Sequence, residues 1–163
     1  MNDRRQFVKL CAAAIAAAYG SLTSRRTGAA AQTFEVTHTD AEWRKLLTSE
    51  QYYIMREHGT EMPGSCALLV EKRPGKFSCA GCGTTLFEGK RKFESGTGWP
   101  SFWAPLENAV GTTKDYSLGV LRLAVHCRRC GGHLGHVFDD GPKPTGLRYC
   151  INGVALKFKP AQG

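Results

Sequence analysis

The 163-residue chain has no apolar run long enough to cross a bilayer. Its longest, Leu10 to Tyr19, is half the roughly 20 residues a spanning helix needs. No permanent membrane anchor is therefore expected. Phosphate-binding glycine loops of the P-loop or dinucleotide type are missing, and no strand–helix–strand alternation appears, which removes Rossmann and thioredoxin-like architectures. Charge is sparse, at 22% of residues, and acids are short, 14 against 22 Lys and Arg. Hydrophobic residues make up 42%, so the low hydrophobicity and high charge of disordered chains are absent as well. The length allows one ordinary domain with a short extension, and no second domain.

The formal charge of +8 is unevenly divided. Residues 1–31 carry five basic residues and one acid, so half the excess lies in the extension and the remainder is only mildly basic. In that extension Asp3-Arg4-Arg5-Gln6-Phe7-Val8-Lys9 precedes an Ala-rich run with no polar face. Arg25-Arg26 and then Ala29-Ala30-Ala31 follow, the latter fitting the A-x-A cleavage rule. This resembles a twin-arginine export signal. It implies a cleaved segment 1–31, a single mature domain 32–163, passage through the twin-arginine machinery and a periplasmic location.

In the mature chain Thr39-Asp40-Ala41-Glu42 has capping-box spacing before Trp43, Leu46 and Leu47, which predicts a short helix. A second helix starts near Thr48 or Ser49 and stops near Gly59. Beyond Pro63 the apolar runs shorten to strand length: 76–79, 84–87, 120–126, 148–151 and 154–159. Period-two alternation in 120–125 and 154–159 reads as half-buried antiparallel strands. The expected fold class is mainly β, with short N-terminal helices.

Of the seven cysteines, Cys11 lies in the export segment. Four others form two C-x-x-C pairs, Cys79/Cys82 and Cys127/Cys130, each followed directly by a glycine. Thiolates at i and i+3 of a tight turn can share one tetrahedral ion, and the trailing glycine permits the positive φ such a knuckle favours. Structural zinc is the preferred reading. Disulfides, usual in exported proteins, and a redox C-x-x-C are the alternatives, and neither explains the repeated glycine. Four thiolates fill the coordination shell, so the metal is scaffolding. Cys66, in a Gly-Ser-Cys-Ala loop, and Cys150, in a strand, are left over. A strand cysteine is by default an inert small hydrophobe. The crowding of His133, His136, Asp139, Asp140, Arg148 and Asn152 around Cys150 in the sequence favours a reactive thiol instead.

The strings Met55-Arg56-Glu57-His58-Gly59-Thr60-Glu61, Cys79-Ala80-Gly81-Cys82-Gly83 and Ser95-Gly96-Thr97-Gly98-Trp99-Pro100-Ser101-Phe102 occur in that order. They are followed by His133-Leu134-Gly135-His136-Val137-Phe138-Asp139-Asp140-Gly141-Pro142 and Gly146-Leu147-Arg148-Tyr149-Cys150-Ile151-Asn152. Together they resemble the B-type peptide-methionine (R)-S-oxide reductases from about Thr39 to Phe158. The resemblance implies two antiparallel β-sheets with short N-terminal helices and a structural Zn2+ on Cys79, Cys82, Cys127 and Cys130. It further implies Cys150 as nucleophile, Trp99 in the substrate pocket, and His133, His136, Asp140 and Asn152 around the reacting sulfoxide, with His136 taken as the main acid.

The chemistry would leave Cys150 as a sulfenic acid, which condenses with a second thiol. Many relatives place that thiol between the residues equivalent to Gly96 and Gly98, where this chain has Thr97. Cys66 is the remaining mature thiol and the candidate resolving cysteine; otherwise an external thiol reduces the sulfenic acid directly. The expected partners are oxidised proteins or peptides and a thioredoxin-type dithiol, with a monomeric enzyme and no nucleic acid. Two other classes compete. A zinc-ribbon binding module is motivated by the knuckles and high pI, but its basic residues are scattered. A disulfide exchanger would need one C-x-x-C free of metal.

Overall fold

The computed structural model describes residues 33–162; the export signal read in residues 1–31 lies outside them. Two helices open the described chain. In α1, Asp40–Leu46, the expected capping box is present, Thr39 accepting from the Glu42 amide while Glu42 reaches back to Thr39. In α2, Ser49–Glu57, Thr48 and Gln51 repeat the device. The helix ends at Glu57, and His58, one residue before Gly59, takes the left-handed cap conformation at φ 58° while the Gly59 amide donates to Tyr53 O. Among the described residues no helix is long and apolar enough to cross a membrane.

The remainder is nine strands in two antiparallel sheets. β1 (Gly75–Cys79) is flanked by β2 (Thr85–Glu88) and β9 (Leu156–Pro160) in a three-stranded sheet. The six-stranded sheet runs β3 (Lys92–Phe93), β4 (Ser101–Phe102), β8 (Arg148–Ile151), β7 (His133–Phe138), β6 (Arg122–Cys127), β5 (Val110–Asp115). Phe77 and Phe87 of the small sheet meet Phe102 of the large one, Phe87 stacked on it at 4.3 Å and Phe77 edge-on at 5.0 Å, all three fully buried. These rings form the centre of the core, and aromatic pairs in such geometries add to the area they bury.

The mainly β, two-sheet expectation holds, with two local differences. The alternation in 120–125 does not produce a half-buried strand: β6 starts only at Arg122, Ala124 to Cys127 are all buried, and Val120, Leu121 and Leu123 stand in solvent. Arg122 is partly buried against Asp115, with which it forms an ion pair at 2.6 Å. Alternation in the last strand begins at Leu156, since Gly153–Ala155 forms a 3₁₀ turn.

Candidate active site and metal centre

The two knuckles are built alike. The Cys79 amide donates to Thr84 O and the Gly83 amide to Cys79 O; the Cys127 amide donates to Gly132 O and the Gly131 amide to Cys127 O. Gly83 and Gly131 have φ of 74° and 70°, the conformation expected of the trailing glycines. β1 ends at Cys79 and β6 at Cys127, so the pairs bring the two sheets together. All four Sγ atoms lie within 4.8 Å of one another, with Cys79–Cys130 at 3.7 Å and Cys82–Cys127 at 3.6 Å. A tetrahedron with Zn–S bonds near 2.3 Å has edges of about 3.8 Å, so the donor set can hold a metal ion. The cluster is largely buried beneath Met55 and Trp43, which pack over Gly81. Four sulfurs would leave no ligand position open, so an ion held there would brace the two sheets.

Cys150 lies in a separate place, at the middle of the six-stranded sheet. β8 pairs with β4 on one side and β7 on the other, setting Ser101 and His136 opposite Cys150 in register. Directly opposed residues share a face, so His136 and Cys150 project together. Both line a cleft of about 130 Å³ with Trp99, Thr60, Phe138 and Asn152. The Cys150 thiol is half-buried, and burial pushes its pKa above the ordinary thiol value. The Thr97 hydroxyl, 3.9 Å from Sγ, and the Arg148 guanidinium pull the other way.

His136 is held from behind. Its Nε2 is 2.7 Å from Asp115 Oδ2, which also accepts from Arg122 Nη2 at 2.6 Å, while Asp115 Oδ1 accepts from the Ser117 amide. These hydrogen bonds hold the Asp115 carboxyl well below the usual carboxylate range, so the carboxylate only accepts and His136 carries its proton on Nε2. Burial lowers the His136 pKa against the opposing pull of Asp115, leaving a neutral ring with its Nδ1 lone pair unused by that contact.

The other expected site residues divide. Trp99 lines the cleft, its Nε1 donating to Glu61 O at 3.2 Å. Asn152 is buried and its amide is engaged: Nδ2 donates to Leu134 O at 3.0 Å and Oδ1 accepts from the Glu61 amide at 3.0 Å. His133 does not line the cleft. It is buried behind His136, ring centroids 5.4 Å apart, with neither ring nitrogen partnered, and burial drives its pKa down to about 3. Asp140 also stands outside, largely exposed, and reaches the site through Arg148, which donates to it twice at 2.8 Å and spreads over the Phe138 ring at 4.5 Å. Cys66 opens into a different cavity, beside Val154 and Leu156, its Sγ against Gly153 and its pKa raised by burial.

Three contributors were not singled out in the sequence. Asp115 ends β5 and Arg122 starts β6, and Asp115 reaches His136 of β7 only across β6. Glu61 is 5% exposed and accepts from the amides of Gly153 at 2.7 Å and Val154 at 2.8 Å, and through its own backbone it ties Trp99 and Asn152 together. The Gly59-Thr60-Glu61 string was the signal available for it, an acid in a loop whose amides and carbonyls need partners.

Cys150 thus sits beside the Asp115-held His136 in a small aromatic-walled cleft, apart from the four-thiol cluster. The SelR domain matches residues 47–160. The chain is 52% identical over 127 residues to the peptide methionine sulfoxide reductase MsrB of Leptospira interrogans, covering 77% of this chain and 97% of that protein. It is 52% identical over 125 residues to that of Methanosarcina barkeri (76% and 88%) and 51% over 130 residues to that of Pseudomonas putida (79% and 98%). The chain belongs to the SelR family, the B-type peptide methionine sulfoxide reductases.

Proposed function

We propose that this chain reduces methionine-R-sulfoxide in peptides and proteins to methionine, with Cys150 as the thiol that takes the oxygen. The observation that carries the reading is the pairing of Cys150 with His136 across adjacent strands, in a cleft walled by Trp99. The sulfoxide methyl rests on the indole, and its oxygen points to His136. Because Asp115 engages Nε2, the Nδ1 atom of His136 receives the Cys150 proton and passes it to the sulfoxide oxygen, a relay suited to a thiol whose pKa burial has raised. Oxygen moves to Sγ, the thioether departs, and sulfur is oxidised by two electrons to the sulfenic acid.

Cys66 then attacks, forming a Cys66–Cys150 disulfide and releasing the oxygen as water, and a thioredoxin-type dithiol reduces that disulfide by two exchanges. Cys66 Sγ touches Gly153, three residues from Cys150, which supports a short path between them. A second reading, direct reduction of the sulfenic acid by an external thiol, is favoured by the opening of Cys66 into a different cavity and by Thr97, which occupies the position beside Sγ. The ion on Cys79, Cys82, Cys127 and Cys130 is zinc and takes no part in these steps. The twin-arginine segment puts the activity in the periplasm.

The test is turnover of the separated R and S sulfoxide epimers with dithiothreitol, followed by thiol mapping after a single turnover. Reduction of the R epimer, lost in Cys150→Ser, is expected. Activity on the S epimer alone, or undiminished turnover in Cys150→Ser, refutes the reading. A mapped Cys66–Cys150 disulfide selects internal resolution, and an unlinked oxidised Cys150 selects the external thiol.

A further inference from the structure

The hairpin joining β5 to β6 carries Tyr116, Leu118, Val120 and Leu121, which are 61, 68, 60 and 55% exposed. Single exposed apolar side chains are ordinary, but four within six residues on one projecting tip form a patch that calls for a partner. Nor is the tip a loose loop. The Gly119 amide donates to Tyr116 O, the Ser117 amide to Asp115 Oδ1, and Arg122 Nη2 to the Ser117 hydroxyl. These bonds brace the turn, and its apolar side chains are exposed.

The base of the same hairpin is the wall of the active site. Asp115 and Arg122 pair with each other and Asp115 holds His136, while Arg122 lines the Cys150 cleft. Thr60 lines the same cleft and is followed two residues later by Met62, 75% exposed. Exposed apolar side chains thus adjoin two residues that line the cleft, the hairpin tip next to Arg122 and Met62 next but one to Thr60. The cations on these strands are Lys114 and Arg122, and Arg122 is tied to Asp115, so the tip lacks the basic rim of a loop that binds anionic lipid.

We propose that the 116–121 hairpin tip is a docking surface for the apolar residues that flank a methionine sulfoxide in an unfolded polypeptide. The proposal rests on the reductase reading above. Such flanks are buried in folded proteins and become available when a chain unfolds, so the surface directs the enzyme toward damaged, unfolded substrates.

The experiment compares the full chain with Leu118→Ser/Leu121→Ser on three substrates: free methionine sulfoxide, a peptide with leucines flanking the sulfoxide, and the same peptide with serines. Binding of fluorescent forms of both peptides is followed by anisotropy, which reads the surface whether or not turnover occurs. The wild type is expected to bind the leucine peptide about tenfold or more tightly than the serine peptide, and the double variant to lose that preference with free sulfoxide reduction unchanged. A preference that survives in the variant, or is absent from the wild type, overturns the proposal. So does a variant whose only defects are in recycling by a dithiol protein, in vesicle binding or in self-association, since each assigns the tip to another occupant. Absence of turnover of all three substrates in the wild type would sink the reductase reading while leaving the anisotropy comparison to decide the surface.

Discussion

His133 offers the sharpest numerical test, because it is 2% exposed and has no partner at either ring nitrogen. Burial, reinforced by His58 and His136, drives its pKa from the ordinary 6.5 to about 3. A base whose folded pKa lies below its unfolded value binds its proton more weakly when folded. Its contribution to stability is complete above pH 6.5 and is lost as the pH falls toward 3. At one pKa unit per 1.36 kcal/mol, the loss between pH 7 and pH 5 is about 2 kcal/mol. Replacing the ring by leucine, apolar and near in volume, breaks no hydrogen bond and removes the titration, so His133→Leu should be close to neutral at pH 7. The assay is urea unfolding of both proteins at pH 7, 6 and 5, with the slopes required to agree. Wild type should lose about 2 kcal/mol more than the variant over that interval. Equal acid sensitivity in the two proteins, or a large destabilisation of the variant at pH 7, would mean that the ring nitrogens are partnered and the argument is wrong.

Asp115→Asn should lower kcat/KM for free methionine sulfoxide by about tenfold or more, since it removes the charge that orients His136. It should also move the His136-dependent limb of the pH–rate profile to lower pH, because the Asp115 contribution that raises the His136 pKa is gone. An unmoved limb would remove Asp115 from the mechanism. Stripping the metal with a chelator, or Cys127→Ser, should lower the melting temperature and release about one equivalent of zinc, and an unchanged melt would show that the four-thiol cluster does not brace the sheets. Glu61→Gln turns an amide donor toward the Gly153 or Val154 amide and should cost about 1–3 kcal/mol in urea unfolding, with the largest kinetic effect on KM through Trp99. A stability equal to wild type would refute this role.

The sequence by itself determined the features whose physics is local. A capping box needs only residues i and i+3, and Thr39 with Glu42 is found where the spacing puts it. A metal knuckle needs two cysteines and a glycine within five residues, so Gly83 and Gly131 were legible in advance, as were the strand at 148–151 and the thiol it carries. Tertiary structure decided the rest. β5 is a polar edge strand, Val110 to Asp115, with no alternation to betray it, and β7 is buried through Leu134 and Gly135 in succession, so neither follows a period-two pattern. Only the pairing of both with β6 brings Asp115 to His136 from 21 residues away, and only the turn at 153–155 brings backbone amides to Glu61 from more than 90 residues away. The separation of His133 and Asp140 from the cleft has the same origin. Side chains close in sequence are divided by the alternating faces of a sheet and by the strands between them, and local spacing carries no record of which strands will pair.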